Sequence, residues 1–170
     1  ANAQGAMLAA CADDALIAAA PASDAKNLWA ARKALSPLLR DIAPKKINED
    51  VAVPVSRLPE LLGGVAELAR RHEVANVNFG HAGNGNIHVN LLVNPDDPAE
   101  SRRAEICLGE IFDLVIRLQG TLSGEHGVGR EKRPYVGLEI DPVTMRLMKD
   151  LKRLFDPNEI LNPGKLFPGE

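Results

Sequence analysis

Residues Asn76 to Val93 read NVNFGHAGNGNIHVNLLV. Two β-prone runs flank Gly83-Asn84-Gly85-Asn86, and Asn-Gly is the dipeptide that most favours a two-residue type I′ turn, because both central residues must accept positive φ. That turn predicts a hairpin in which Gly83 pairs with Asn86, Ala82 with Ile87, His81 with His88 and Phe79 with Asn90. Directly opposed residues share a face, with Cβ atoms about 4.5–5.5 Å apart, so the two imidazoles could reach a single ion, with Asn90 beside them. The opposite face carries Ile87, Val89, Leu91 and Val93, the alternation of a half-buried strand. A lone histidine near a hairpin is more often a surface or hydrogen-bonded residue than a ligand. It is the pairing of two that makes a metal site worth testing.

At 170 residues the chain is long enough to bury a real core in one domain. Hydrophobic content of 45% with 25% charged residues is that of an ordinary globular protein, so disorder is not expected. A net charge of -3 leaves no basic footprint and argues against nucleic-acid binding. The apolar runs are too short or too interrupted for a membrane span, and no signal peptide is legible. Cys11 and Cys107 fall in helical patterns without a CxxC partner, which fits reduced thiols in a cytoplasmic protein. The chain opens on ANAQGAMLAA without an initiator Met, and we expect a fragment of a longer protein.

Outward from the hairpin, Met7 to Ala20 has high helix propensity and stops at Pro21. Ser23 or Asp24 then caps a second helix, where Leu28, Arg32 and Ser36 follow at i, i+4 spacing. Arg32 is either a solvated helix charge or, with the Ser36 hydroxyl one turn on, a receptor for a carboxylate. Val51, Val53 and Val55 alternate with Asp50, Ala52 and Pro54 as a short strand, with Pro54 at an edge or an end. Ser56 is expected to cap a helix through Leu58, Leu61, Leu62, Val65, Leu68 and Ala69, ending near a water-facing His72. Asn94 to Pro98 is a turn leading to a long helix with Ile106, Ile111, Phe112, Val115 and Leu118 inward and Gly120 just past its end. Asp141-Pro142 starts a last helix with Leu147, Met148, Leu151 and Phe155 inward, before a tail of dense turn residues. The order predicts an α+β fold, a small antiparallel sheet covered by helices.

Between the last two helices, Thr121 to Gly129 reads TLSGEHGVG. Glycines this frequent make a loop whose backbone approaches a ligand closely, and the loop presents Glu125 and His126. It is neither an H-E-x-x-H helix nor a G-x-G-x-x-G dinucleotide turn. His81, His88 and Glu125 form the donor set of a divalent catalytic metal that keeps positions open for substrate. His126 is then a candidate general base. No acceptor site for hydride is legible, so either the reaction is a hydrolysis or a redox cofactor is bound elsewhere.

GHAGNGNIHVN (Gly80 to Asn90), SGEHGVG (Ser123 to Gly129) and DPNEILNPGK (Asp156 to Lys165) together resemble the C-terminal domain of the FAD-linked oxidases of the D-lactate dehydrogenase, D-2-hydroxyglutarate dehydrogenase and glycolate oxidase type. The resemblance runs from LWAAR (Leu28 to Arg32) through EDVAVPVS (Glu49 to Ser56) to the end, and makes residues 1–170 one substrate- and metal-binding domain of ferredoxin-like fold. It implies oxidation of a small D-2-hydroxy acid to the 2-oxo acid, with hydride passing to FAD held mainly by the protein's own N-terminal domain, absent here. It further implies that His81, His88 and Glu125 bind a divalent metal, zinc or similar, and that His126 takes the hydroxyl proton. By the same resemblance Asn90 and His126 contact substrate, and Arg32 binds its carboxylate with Ser36 where the 2-hydroxyglutarate branch commonly has Thr. Asn48 falls near that branch's substrate-binding Lys, with Lys45 and Lys46 just before it, and Asn84 replaces a common Asp in the hairpin. The isolated chain is expected to bind flavin weakly and to be inactive alone. The electron acceptor is open, and nothing forbids a homodimer. The readings from other classes are a free-standing metal-dependent hydrolase and a non-catalytic metal-binding module.

Overall fold

The structure, a computed structural model, describes residues 22–168 apart from some side chains of the first helix, and the described residues fall into two compact units that divide between Asp41 and Ile42. The expected helix from Met7 to Ala20 and Cys11 within it lie outside the described residues, as do the side chains of Arg32 and Ser36. In the first unit a 3₁₀ turn at Ala22–Asp24 enters α1 (Ala25–Ile42), which carries Pro37 in its interior.

The second unit runs β1 (Lys45–Ala52), α2 (Leu58–Arg71), β2 (Ala75–His81), β3 (Asn86–Val93), α3 (Pro98–Arg117), a short α4 (Val136–Glu139) and α5 (Pro142–Phe155). The sheet is antiparallel with order β1-β3-β2, so β3, the most apolar strand, lies in the middle and is buried along its whole length. This β-α-β-β-α order is the split-βαβ arrangement of a ferredoxin-like fold. After α3, Thr121 makes a lone antiparallel bridge to Ala52 at the free edge of β1, where a fourth strand would lie. None of the described helices is long and apolar enough to cross a membrane.

One face of the sheet carries Val51, Ile87, Val89, Leu91 and Val93, and these join Leu61 and Val65 of α2 and Ala104, Cys107, Ile111, Phe112 and Val115 of α3 in a single apolar core. Each Val, Leu or Ile so enclosed contributes roughly 1.5–3 kcal/mol, which makes this face the fold's main driving force. The other face carries Asp50, Asn86, His88, Asn90 and Leu92. The apolar alternation read along β3 is the one observed.

The hairpin differs from the two-residue turn. Ala82–Asn84 form a 3₁₀ turn, and only Gly85 takes positive φ, +72°. His81 therefore pairs with Asn86 and Phe79 with His88, a register two residues away from the expected one. Tertiary contact decides this. The Gly85 carbonyl accepts the Val53 N–H at 3.1 Å, and Gly85 packs so closely that a Cβ there would overlap the Val53 carbonyl. A longer loop brings the turn against the end of β1, which a tight I′ turn would not reach.

Other boundaries shift for local reasons. β1 begins earlier than the valine alternation, at Lys45, and Val55 belongs to a 3₁₀ turn, because Pro54 cannot donate to a ladder. Ser56 lies inside that turn and does not cap α2; Arg57 holds the N-cap position, with Pro59 in the first turn. His72 is mostly enclosed, not water-facing, with Nε2 3.2 Å from Glu110 on α3. Ile106 is half exposed, off the stripe of α3. Gln119, not Gly120, takes the left-handed position after α3; Gly120 is required because a Cβ there would strike the Ala52 carbonyl. Asp141 caps α5 as expected, accepting from Val143 and Thr144, and Asp156 accepts from Ile160 and Leu161 to fold the tail. The face of α5 does not point inward. Leu147, Leu151 and Phe155 are exposed and no residue of α5 is buried; Met148, Leu151 and Phe155 line an open apolar groove together with Leu161, Leu166 and Phe167 of the tail.

Candidate metal centre and active site

The polar face of the sheet presents Asp50 on β1, Asn86, His88 and Asn90 on β3, and Phe79 and His81 on β2. Side chains alternate with period two, so the two-residue shift in register leaves His81 and His88 on one face as diagonal neighbours. Their ring centroids are 5.7 Å apart and nearly perpendicular. The glycine-rich loop after α3 lays Glu125 across them. Glu125 Oε1 lies 3.1 Å from His88 Nε2 and 3.7 Å from His81 Nε2, and one donor atom from each of the three residues falls within 4.8 Å of the others. Two imidazole nitrogens and one carboxylate oxygen so spaced could hold one divalent ion and leave positions open towards the solvent-facing side, where His81 and Glu125 are about half exposed.

His126 follows on the same loop. Its Nε2 is 3.8 Å from Glu125 Oε1, its Nδ1 is 3.6 Å from Asp50 Oδ1, and its ring lies 5.2 Å from that of His88. One nitrogen thus faces the three-residue cluster and the other a carboxylate. Burial pushes the His88 imidazole below its ordinary range, with Glu125 opposing and the neighbouring histidines reinforcing the shift. A neutral imidazole is the form that binds a metal.

Beneath the loop is a fully buried ion pair. Asp50, opposite His88 in the β1–β3 ladder, accepts the backbone N–H groups of Glu125 and His126 on Oδ2 and the Lys132 ammonium on Oδ1. Lys132 also donates to the Asp50 carbonyl at 2.7 Å and lies 3.6 Å from Glu49. Burial drives the Asp50 carboxyl upward, but the Glu125 N–H, Lys132 and the His126 N–H together hold it below its ordinary value. Burial wins at Glu49, which is pushed up despite Lys132. The loop needs glycine at Gly124, where a Cβ would stand 2.5 Å from Asn86 Oδ1.

The structure thus brings His81, His88, Glu125 and His126 together. Asn90 shares their face but is fully buried, accepting from Asn48 Nδ2 at 2.6 Å and donating to the carbonyls of Val77 and His88. It braces Asn48, the less enclosed of the two. Sequence reasoning did not single out Asp50 or Lys132 as part of the site. The alternation around Val51 places Asp50 on the face away from the core, which is a usable signal; Lys132 offers no local one.

Residues 1–166 match the family model described as FAD linked oxidases, C-terminal domain, and the chain belongs to that family. Among its relatives, the glycolate oxidase subunit GlcD of Bacillus subtilis is 41% identical over 138 residues, covering 81% of this chain and 29% of that protein. The D-lactate dehydrogenase of Anaerostipes hadrus is 35% identical over 161 residues, covering 94% of this chain and 34% of that protein. The D-2-hydroxyglutarate dehydrogenase of Stutzerimonas stutzeri is 35% identical over 147 residues, covering 84% of this chain and 31% of that protein. The chain spans about a third of the length of these relatives or less.

Proposed function

We propose that this chain is the substrate-side portion of a flavoprotein that oxidises a small D-2-hydroxy acid to the corresponding 2-oxo acid. The observation that carries this reading is the convergence of His81, His88 and Glu125 on one point, with His126 beside it, in a chain of the FAD-linked oxidase family. When bound, a divalent ion such as zinc would polarise the substrate hydroxyl, and FAD, held mainly by an N-terminal domain, would accept the hydride.

The chain's own residues do the rest. His81, His88 and Glu125 would hold the ion on the open side of the sheet. His126 Nε2 faces the same point and removes the hydroxyl proton as hydride leaves the adjacent carbon. Asn90, expected to contact substrate, is fully buried and accepts from Asn48 Nδ2 at 2.6 Å, so of this pair it is Asn48 that is left to meet a polar group of the substrate. For the substrate carboxylate we retain Arg32, with Ser36, on the sequence pattern alone. Cys107, buried and with its thiol pushed up by burial, is inert and suits a reducing cytoplasm.

A panel of D- and L-2-hydroxy acids, glycolate and lactate included, mixed anaerobically with the full-length flavoprotein tests this. Bleaching of the flavin by a D-acid and not by its L-enantiomer is the expected result. A flavin that no hydroxy acid reduces would overturn the assignment.

A further inference from the structure

We propose that Asp50, with Lys132 as its buried counter-ion, is the positioning residue that sets the Glu125–His126 peptide, and through it the directions of the Glu125 carboxylate and the His126 imidazole. The inference deepens the functional reading above and rests on it for the roles of those two side chains.

The loop carrying Glu125 and His126 is tied at its start, by the Leu122 N–H to Glu139 and by the packing of Gly124 on Asn86, and is rich in glycine beyond. Gly127 and Gly129 take positive φ, and Gly124 adds a third residue without a side chain. Against that freedom stands one carboxylate oxygen that receives two successive N–H groups, those of Glu125 and His126, the latter at 2.9 Å. Successive N–H groups converging on one anion form a nest, which fixes both peptide planes. The other Asp50 oxygen is held by Lys132, whose Nζ also grips the Asp50 backbone at 2.7 Å. Asp50 has no exposure and Lys132 almost none, so water does not screen the pair. Asp50 is anchored in the strand that pairs with His88, so one rigid element relates the loop to the sheet histidines. Asp50 Oδ1 also stands 3.6 Å from His126 Nδ1, on the side of the ring away from the cluster.

The test is amide hydrogen exchange, read by mass spectrometry, on the full-length protein and its Asp50→Asn, Lys132→Met and Asp50→Asn/Lys132→Met variants, together with Zn²⁺ titration of chelator-stripped samples. Asp50→Asn leaves Glu49, 3.6 Å from the Lys132 ammonium, as its counter-ion, and so should speed exchange in the segment 123–128 at least about tenfold while β2 and β3 keep their protection. Zn²⁺ affinity should fall about 10- to 100-fold, the usual effect of losing a group that orients ligands. Lys132→Met leaves a buried charge unpaired and loosens sheet and loop alike. The double variant removes both charges, so it should regain sheet protection while its loop stays fast; that separates positioning from simple stability. Unchanged loop exchange in folded Asp50→Asn, or sheet and loop loosening together in the double variant, would overturn the proposal. If the parent protein binds no Zn²⁺ while its loop still answers to Asp50, the metal assignment falls and the positioning role stands.

Discussion

His88 Nε2 and Glu125 Oε1 stand 3.1 Å apart, one on the central strand and the other on the loop after α3, with His81 Nε2 3.7 Å from the same oxygen. On the proposed ligand set of both histidines and the carboxylate, His81→Ala and Glu125→Ala should each lower the metal content of the purified full-length protein to well below one ion per chain. Elemental analysis reads this directly. Unchanged content in both variants would remove the ligand assignment.

His126 Nε2 stands 3.8 Å from Glu125 Oε1, beside the proposed ligand set and outside it. His126→Ala should therefore keep flavin and metal yet slow flavin reduction by about 10²- to 10⁴-fold, the usual cost of losing a general base. Rapid mixing under anaerobic conditions gives the rate. A near-normal value would take the base role away from His126.

The hairpin makes a stability prediction. At Gly85 an alanine would take a left-handed conformation costing roughly 1–2 kcal/mol and would also drive its Cβ into the Val53 carbonyl, for a total above about 2 kcal/mol. Gly63, inside α2 with nothing near its absent Cβ, should respond oppositely and gain about 0.8–1 kcal/mol as alanine. Urea unfolding of the two variants separates these signs. Equal effects would mean that the Gly85 contact with Val53 does not form.

Acid stability should fall in two windows. The folded-state pKa of His88 is depressed below 6.5, so its contribution is whole above about pH 6.5 and is lost as pH falls through the folded value, the unfolded chain binding the extra proton. Asp50 is depressed below 3.8, so its contribution persists to lower pH and is lost only as pH falls beneath that value. In chelator-treated protein, His88→Gln should flatten the upper window and leave the lower one. Denaturation curves across both windows show whether it does, and an unaltered upper window would assign that loss to another group.

Much of this was legible from local pattern. The alternation along β3 identified the buried face, and the grouping of His81 with His88 survived a wrong register because an even slip preserves the face. The slip arose because the Asn84-Gly85 turn preference, a local term, was outweighed by the contact of Gly85 with Val53, which no window around the turn contains. The same limit hid the Asp50–Lys132 pair, whose partners are 82 residues apart in sequence. For α5 the start at Asp141-Pro142 was read correctly and the inward face was not, because spacing reports an apolar stripe and not what meets it. Arg32 and Ser36 rest on sequence alone.

The central claim, that the cluster of His81, His88 and Glu125 serves hydride transfer to flavin, is tested most directly by following flavin absorbance anaerobically with one reducing D-2-hydroxy acid before chelation, after it, and after Zn²⁺ is returned. The account predicts bleaching that disappears with the metal and comes back with it. Bleaching at the same rate throughout would contradict it.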